Sequence, residues 1–145
     1  MLIESTPTDS ASIAESERGN VATRRAVRVL VVDDNADAAD LLGEALQMSG
    51  YEVRVVYDGH SALMLAASFL PALALLDIGL PGMNGFELAL HLRALVGLEG
   101  LKCMAITGYG HPDDRRRSAE SGFQAHILKP VDIKALEGEM ERILR

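Results

Sequence analysis

Apolar and polar positions alternate along the chain in two different rhythms, and the rhythms take turns. Val27-Arg28-Val29-Leu30-Val31-Val32 is a short β-branched run of the kind found in strands buried on both faces. It stops at Asp33-Asp34-Asn35. Ala38, Leu41, Leu42, Ala45, Leu46 and Ser49 then recur at helical spacing, with Asp37, Asp40, Glu44 and Gln47 opposite them. Gly50 follows as a helix stop.

The same pairing repeats four more times. Glu52 to Tyr57 reads as a strand and Ser61 to about Phe69 as a helix broken by Pro71. Ala72 to Leu76 is a third strand ending at Asp77, and Gly85 to Val96 a third helix after the Pro81-Gly82 loop. Leu101 to Ile106 is a fourth strand ending at Thr107. Pro112 suits the first turn of a fourth helix stopped by Gly122. Ala125 to Leu128 is the fifth strand, ending at Lys129-Pro130. Asp132 can cap a last helix with Ile133, Leu136, Met140, Ile143 and Leu144 on its apolar stripe. Five strand–helix units predict an α/β fold with a parallel sheet covered on both faces. They are too few for the eight-stranded barrel, which leaves the open, doubly wound sheet. Residues 1–25 are rich in Ser, Thr, Ala and Glu without periodicity and read as a flexible tail or linker. The folded domain is expected over residues 26–145.

Composition narrows the function. Of 145 residues, 48% are hydrophobic and 24% charged, enough for one core. A net charge of -7 argues against broad nucleic-acid binding. Cys103, the single cysteine, lies in an apolar run and reads as a buried, inert thiol, so the cytoplasm is the natural compartment. No apolar stretch reaches the roughly 18–20 residues of a membrane helix.

Chemistry comes from what ends each strand, because ligands of open α/β sheets bind beyond the carboxyl ends of the strands. Asp33 and Asp34 follow the first strand, Asp77 the third, Thr107 the fourth and Lys129 the fifth. Three gathered carboxylates need a compensating cation. Mg²⁺ fits, since it takes hard oxygen ligands and phosphate oxygens together. With an ammonium and a hydroxyl, the set suits phosphoryl transfer, and Asp77 can be its nucleophile.

At Val31-Val32-Asp33-Asp34-Asn35, Leu75-Leu76-Asp77 through Gly85, Ala105-Ile106-Thr107-Gly108 and Leu128-Lys129-Pro130, the chain resembles the receiver domain of bacterial response regulators. The resemblance covers Val27 to Arg145. It implies a flavodoxin-like sheet of order 2-1-3-4-5 with five helices, and a signalling module of phosphorelays rather than an enzyme. Asp77 would accept a phosphoryl group from a sensor histidine kinase or a histidine phosphotransfer protein. Asp34, Asp77 and the Gly79 backbone carbonyl would hold Mg²⁺, or Mn²⁺ in its place, with Asp33 acting through water. Thr107 and Lys129 would hold phosphoryl oxygens, and the Lys129–Pro130 bond would be cis. A phosphorylation-dependent dimer is compatible with the family; membrane and direct nucleic-acid partners are not expected.

Two departures stand out. The family's switch pairs the Thr107 hydroxyl with an aromatic side chain three residues before Lys129, where this chain has His126. An inward-swinging histidine and a solvent-facing strand histidine are both open readings. Gly79 and Tyr109 occupy positions that tune phosphoryl lifetime, and this pair implies slow self-dephosphorylation. Arg115, Arg116 and Arg117 read as a solvated helix face or a partner surface, and the four histidines lack zinc-ligand spacing. A haloacid-dehalogenase-type phosphatase would want a second Asp where Gly79 stands. A flavin or nucleotide module would want Gly, Ser or Thr where Asp33-Asp34 stand. The sequence ends with the last predicted helix, which fits a stand-alone receiver or one cut from a hybrid kinase.

Overall fold

The computed structural model describes residues 26–108, 116 and 119–145. The expected tail, Tyr109, His111, Pro112, Arg115 and Arg117 lie outside the described residues. Strands β1 (Arg28–Val32), β2 (Glu52–Val56), β3 (Leu73–Asp77), β4 (Lys102–Thr107) and β5 (Ala125–Leu128) form one sheet. Their order is β2-β1-β3-β4-β5, with every pair parallel. Helices α1 (Ala36–Met48), α2 (Gly59–Phe69), α3 (Gly85–Arg93) and α4 (Ile133–Leu144) have described bounds. The remaining expected helix, Pro112 to Ser121, falls mostly on other residues. Of its described positions, Arg116, Ala119 and Glu120 are helical.

Period-two alternation on the strands builds two cores. Leu30, Val32, Ala74 and Leu76 point to one face, under Ala62, Ala66, Leu88 and Leu92 of α2 and α3. Val29, Val31, Leu73 and Leu75 point to the other, under Ala39, Leu42 and Leu46 of α1 and Leu136 and Met140 of α4. This is why the strands read as unbroken apolar runs: neither face sees water.

Local signals set the element ends. Asn35, Asp58, Asn84 and Asp132 cap the four helices through side-chain oxygens that accept N–H bonds from Ala38, Ser61, Glu87 and Ala135. Gly50 adopts φ +102° just past α1, the left-handed turn that glycine makes cheaply. Leu70 takes that conformation at the end of α2, with φ 49°, ahead of Pro71.

The sequence misplaces one face. Ala38 and Leu41, read from spacing as part of the α1 stripe, are exposed, Leu41 by 66%. The buried face instead runs through Ala39, Leu42, Gly43 and Leu46. Gly43 is what rotates it: a Cβ there would lie 2.7 Å from Val55 Cγ2, so the missing side chain lets α1 sit directly on β2.

The two leucine positions should therefore behave oppositely. Leu46→Ala is expected to lower unfolding free energy by about 2–5 kcal/mol in urea titrations, as core truncations do. Leu41→Ala should stay within about 0.5 kcal/mol. Similar losses at both sites would refute this face assignment.

Candidate functional site

The site lies where the strand order reverses, between β1 and β3, at the carboxyl ends. Asp33 directly follows β1, while Asp77 and Thr107 are the last residues of β3 and β4 rather than the first beyond them. All three side chains are buried, at 7%, 8% and 3% exposure, and Asp34 is exposed. Carboxylate oxygens of Asp33, Asp34 and Asp77 lie within 4.8 Å of one another.

Asp33 and Asp34 are not the helix cap. Asn35 does that work, and Asp33 Oδ1 instead accepts the Asn35 N–H at 2.9 Å. Asp77 is held similarly, its Oδ1 accepting the Gly79 N–H at 2.8 Å. The remaining oxygens face Lys129, which follows β5. Its Nζ stands 3.0 Å from Asp33 Oδ2 and 3.2 Å from Asp77 Oδ2. The Lys129 N–H donates to Thr107 O at 2.8 Å, which fixes the root of the lysine beside β4. The Lys129–Pro130 peptide is cis, as expected.

Burial pushes the Asp77 carboxyl above its ordinary range. The Gly79 N–H and the Lys129 charge pull it down, and the Asp33 charge adds to the rise. For Lys129, burial alone would lower the ammonium, but hydrogen bonds and charges from Asp33 and Asp77 outweigh it and raise it. The Lys129 charge is thus sustained by its neighbours, while that of Asp77 is opposed by burial and by Asp33.

Gly85 explains how the Asp77 loop keeps its place. A Cβ there would lie 2.7 Å from Ile78 Cα and 2.9 Å from Asp77 O, both backbone atoms that cannot swing aside. The bare glycine lets the start of α3 rest against the backbone of the acidic residue. Met83 and Asn84 are loop and cap, as their sequence suggests, with Met83 packed near Gly59.

His126 is half-buried on β5, opposite Ala105 in register, and its Nε2 is shut off from solvent. That differs from a fully solvent-facing strand histidine. Cys103 is buried in β4, and burial pushes its thiol up to about 11, consistent with an inert core residue. Arg116 is exposed.

One feature was illegible in the sequence. An apolar cavity of about 310 Å³ adjoins the acidic cluster, lined by Ala38, Leu41, Leu42 and Ala45 of α1 and by Pro130, Val131 and Ile133 beyond β5. Asp33 and Lys129 stand among its lining residues. The surplus of apolar residues on α1 was its only sequence signal.

The donor set fits a hard divalent cation: two buried carboxylates and one exposed, oxygen only, beside a fixed ammonium. Among the described residues, no helix is long and apolar enough to cross a membrane.

Comparison with known proteins agrees with this geometry. The model of the response regulator receiver domain matches residues 29–141. An uncharacterized 14.6 kDa protein of Leptolyngbya boryana is 40% identical over 72% of this chain and 79% of its own length. Sporulation initiation phosphotransferase F of Bacillus subtilis is 31% identical over 81% of this chain and 93% of its own. A CheY-like receiver domain structure from Methanospirillum hungatei superposes with a TM-score of 0.74 at 32% identity, covering 81% of this chain and 92% of that one. The chain spans about half the length of DNA-binding regulators it also matches, 49% of RpaA from Synechocystis sp. and 51% of MtrA from Mycobacterium leprae.

The raised Asp77 carboxyl has a consequence for stability. Stability tied to a raised group is present below the unfolded carboxylate range and lost as pH climbs through the folded value. Ionised Asp77 therefore weakens the metal-free fold at neutral pH. Asp77→Asn keeps an acceptor for the Gly79 N–H and removes the charge. In EDTA at neutral pH it should melt above the wild type, with the gap closing as the pH falls through the acid range. A wild type that melts higher in EDTA would contradict this.

Proposed function

The chain belongs to the response regulator receiver domain family, and from that premise we propose that Asp77 accepts a phosphoryl group from a phosphohistidine on a partner protein. The observation that carries the reading is the Lys129 ammonium bridging Asp33 and Asp77 at the strand ends, 3.0 and 3.2 Å away. A carboxylate oxygen of Asp77 forms a bond to phosphorus while the phosphorus–nitrogen bond of the donor breaks. The imidazole leaves with the electron pair, and Asp77 becomes an acyl phosphate.

Asp33, Asp34, Asp77 and the Gly79 carbonyl would hold Mg²⁺. When bound, it offsets the negative charge that the carboxylates and the phosphoryl oxygens bring together. The protein's own part is positioning. The Gly79 N–H orients Asp77, Gly85 seats its backbone, and Lys129 supplies positive charge where phosphoryl oxygens arrive. The Thr107 hydroxyl, buried at the end of β4, takes one of those oxygens and carries the change toward His126. This makes the chain a cytoplasmic phosphorelay module that switches a protein-binding surface, not a turnover enzyme, and its direct partners are proteins rather than nucleic acid.

The partner's approach is through the apolar cavity. The cavity adjoins the acceptor, and Leu41 stands exposed at its wall. A histidine-bearing partner helix can seat an apolar side chain there while its phosphohistidine reaches Asp77. A small donor such as acetyl phosphate needs no such contact.

Two measurements test the reading. With acetyl phosphate and Mg²⁺, the intact mass should rise by one phosphoryl group, and Asp77→Asn should show no gain. Unmodified wild-type protein under those conditions would overturn the proposal. Leu41→Glu should slow transfer from a phosphohistidine donor protein about tenfold or more, the cost of one lost apolar anchor. Its labelling by acetyl phosphate should match the wild type. Equal loss with both donors would mean that the cavity serves the site itself, not the partner.

A further inference from the structure

Away from the acidic cluster, one side chain gathers three backbone carbonyls from two segments. Arg93, the last residue of α3, donates from Nε to Leu101 O at 3.2 Å, from Nη1 to Ser121 O at 2.9 Å and from Nη2 to Gly122 O at 2.9 Å. A planar guanidinium suits this fork; an ammonium cannot span it. Its charge also faces the carboxyl end of the helical residues Arg116, Ala119 and Glu120, where cations are favoured. Gly122 turns there with φ +82°, and its N–H returns to Ala119 O at 3.1 Å.

The entry to β5 is tied to β4 again just beyond. The Gln124 N–H donates to Cys103 O at 2.8 Å, and Gln124 Oε1 accepts the Cys103 N–H at 2.9 Å. Phe123 is buried edge-on against Phe86, with ring centres 5.9 Å apart. At the opposite end of the same two strands, the Lys129 N–H holds Thr107 O. The connection between β4 and β5 is therefore anchored twice, at the phosphoryl site and at Arg93.

We propose that Arg93 is a positioning residue for the output of the switch. By fixing the Ser121–Gly122 turn, it forces a displacement of Thr107 to be taken up around Arg116, Ala119 and Glu120 and at His126 rather than in the turn. Without it, part of the displacement leaks into the turn. The proposal rests on the phosphoryl-accepting role of Asp77, and the two fail in distinguishable ways.

The test is hydrogen exchange with and without Mg²⁺ and beryllofluoride, a stand-in for the aspartyl phosphate. It compares wild type, Arg93→Met and Arg93→Lys, with Leu46→Ala as a destabilised control remote from the connection. In wild type and Leu46→Ala, the beryllofluoride-dependent change should centre on the stretch around Arg116 to Glu120 and on His126, and leave Ser121 to Gln124 flat. In Arg93→Met, that change should shrink severalfold while a new one appears over Ser121 to Gln124. Arg93→Lys, which keeps the charge and folds more readily, should fall between. A wild-type pattern in both Arg93 variants, or the Arg93→Met pattern in Leu46→Ala, would overturn the role given to Arg93. No response in wild type would overturn the Asp77 reading beneath it.

Discussion

Two buried carboxylates on neighbouring strands repel each other, and one lysine from the far side of the sheet holds them together. With carboxylate oxygens within 4.8 Å of one another, like charges cost about 3 kcal/mol or more in a medium of effective dielectric ~20. The parallel sheet nevertheless brings them face to face, because the reversal of strand order sets the ends of β1 and β3 side by side. Lys129 starts beyond β5 and must reach past β4 to meet both, which a long, straight side chain can do. The fold is thus built around a repulsion that it neutralises only in part, and on the proposed reading a cation and a phosphoryl group would answer that residual imbalance.

The two sides of the cluster are held by different contacts. On the α3 side, Gly85 lets the helix start press on the Asp77–Ile78 backbone, and the two Oδ1 atoms are tied to the N–H groups of Asn35 and Gly79. On the β4–β5 side, beside the strand ladder, Thr107 is bonded to Lys129 at one end, and Gln124 to Cys103 and Arg93 to the Ser121–Gly122 turn at the other.

The fold was legible because burial on both faces writes itself into the strands as solid apolar runs, and because Gly50, Gly122 and Asp132 punctuate the helices. The site was legible for a topological reason, since residues ending parallel strands must meet along one edge. What stayed hidden depends on angles that spacing does not encode. Leu41 shares the helical repeat of Leu42 and Leu46, yet Gly43 turns the helix so that Leu41 faces out. Asp77 and Thr107 sit inside their strands by one residue, a difference that hydrogen bonding decides. The three bonds of Arg93 join segments far apart in sequence, and an arginine at a helix end looks from sequence like any solvated charge.

Cys103 carries a practical consequence. The single thiol of the 145-residue sequence is enclosed in β4 and raised to about 11, so at ordinary pH it offers almost no thiolate to electrophiles. The natural chain is therefore nearly silent to maleimide dyes. One cysteine introduced on the exposed face of α1 would be the sole addressable handle, and a fluorophore there could watch a partner arrive without any other residue being altered.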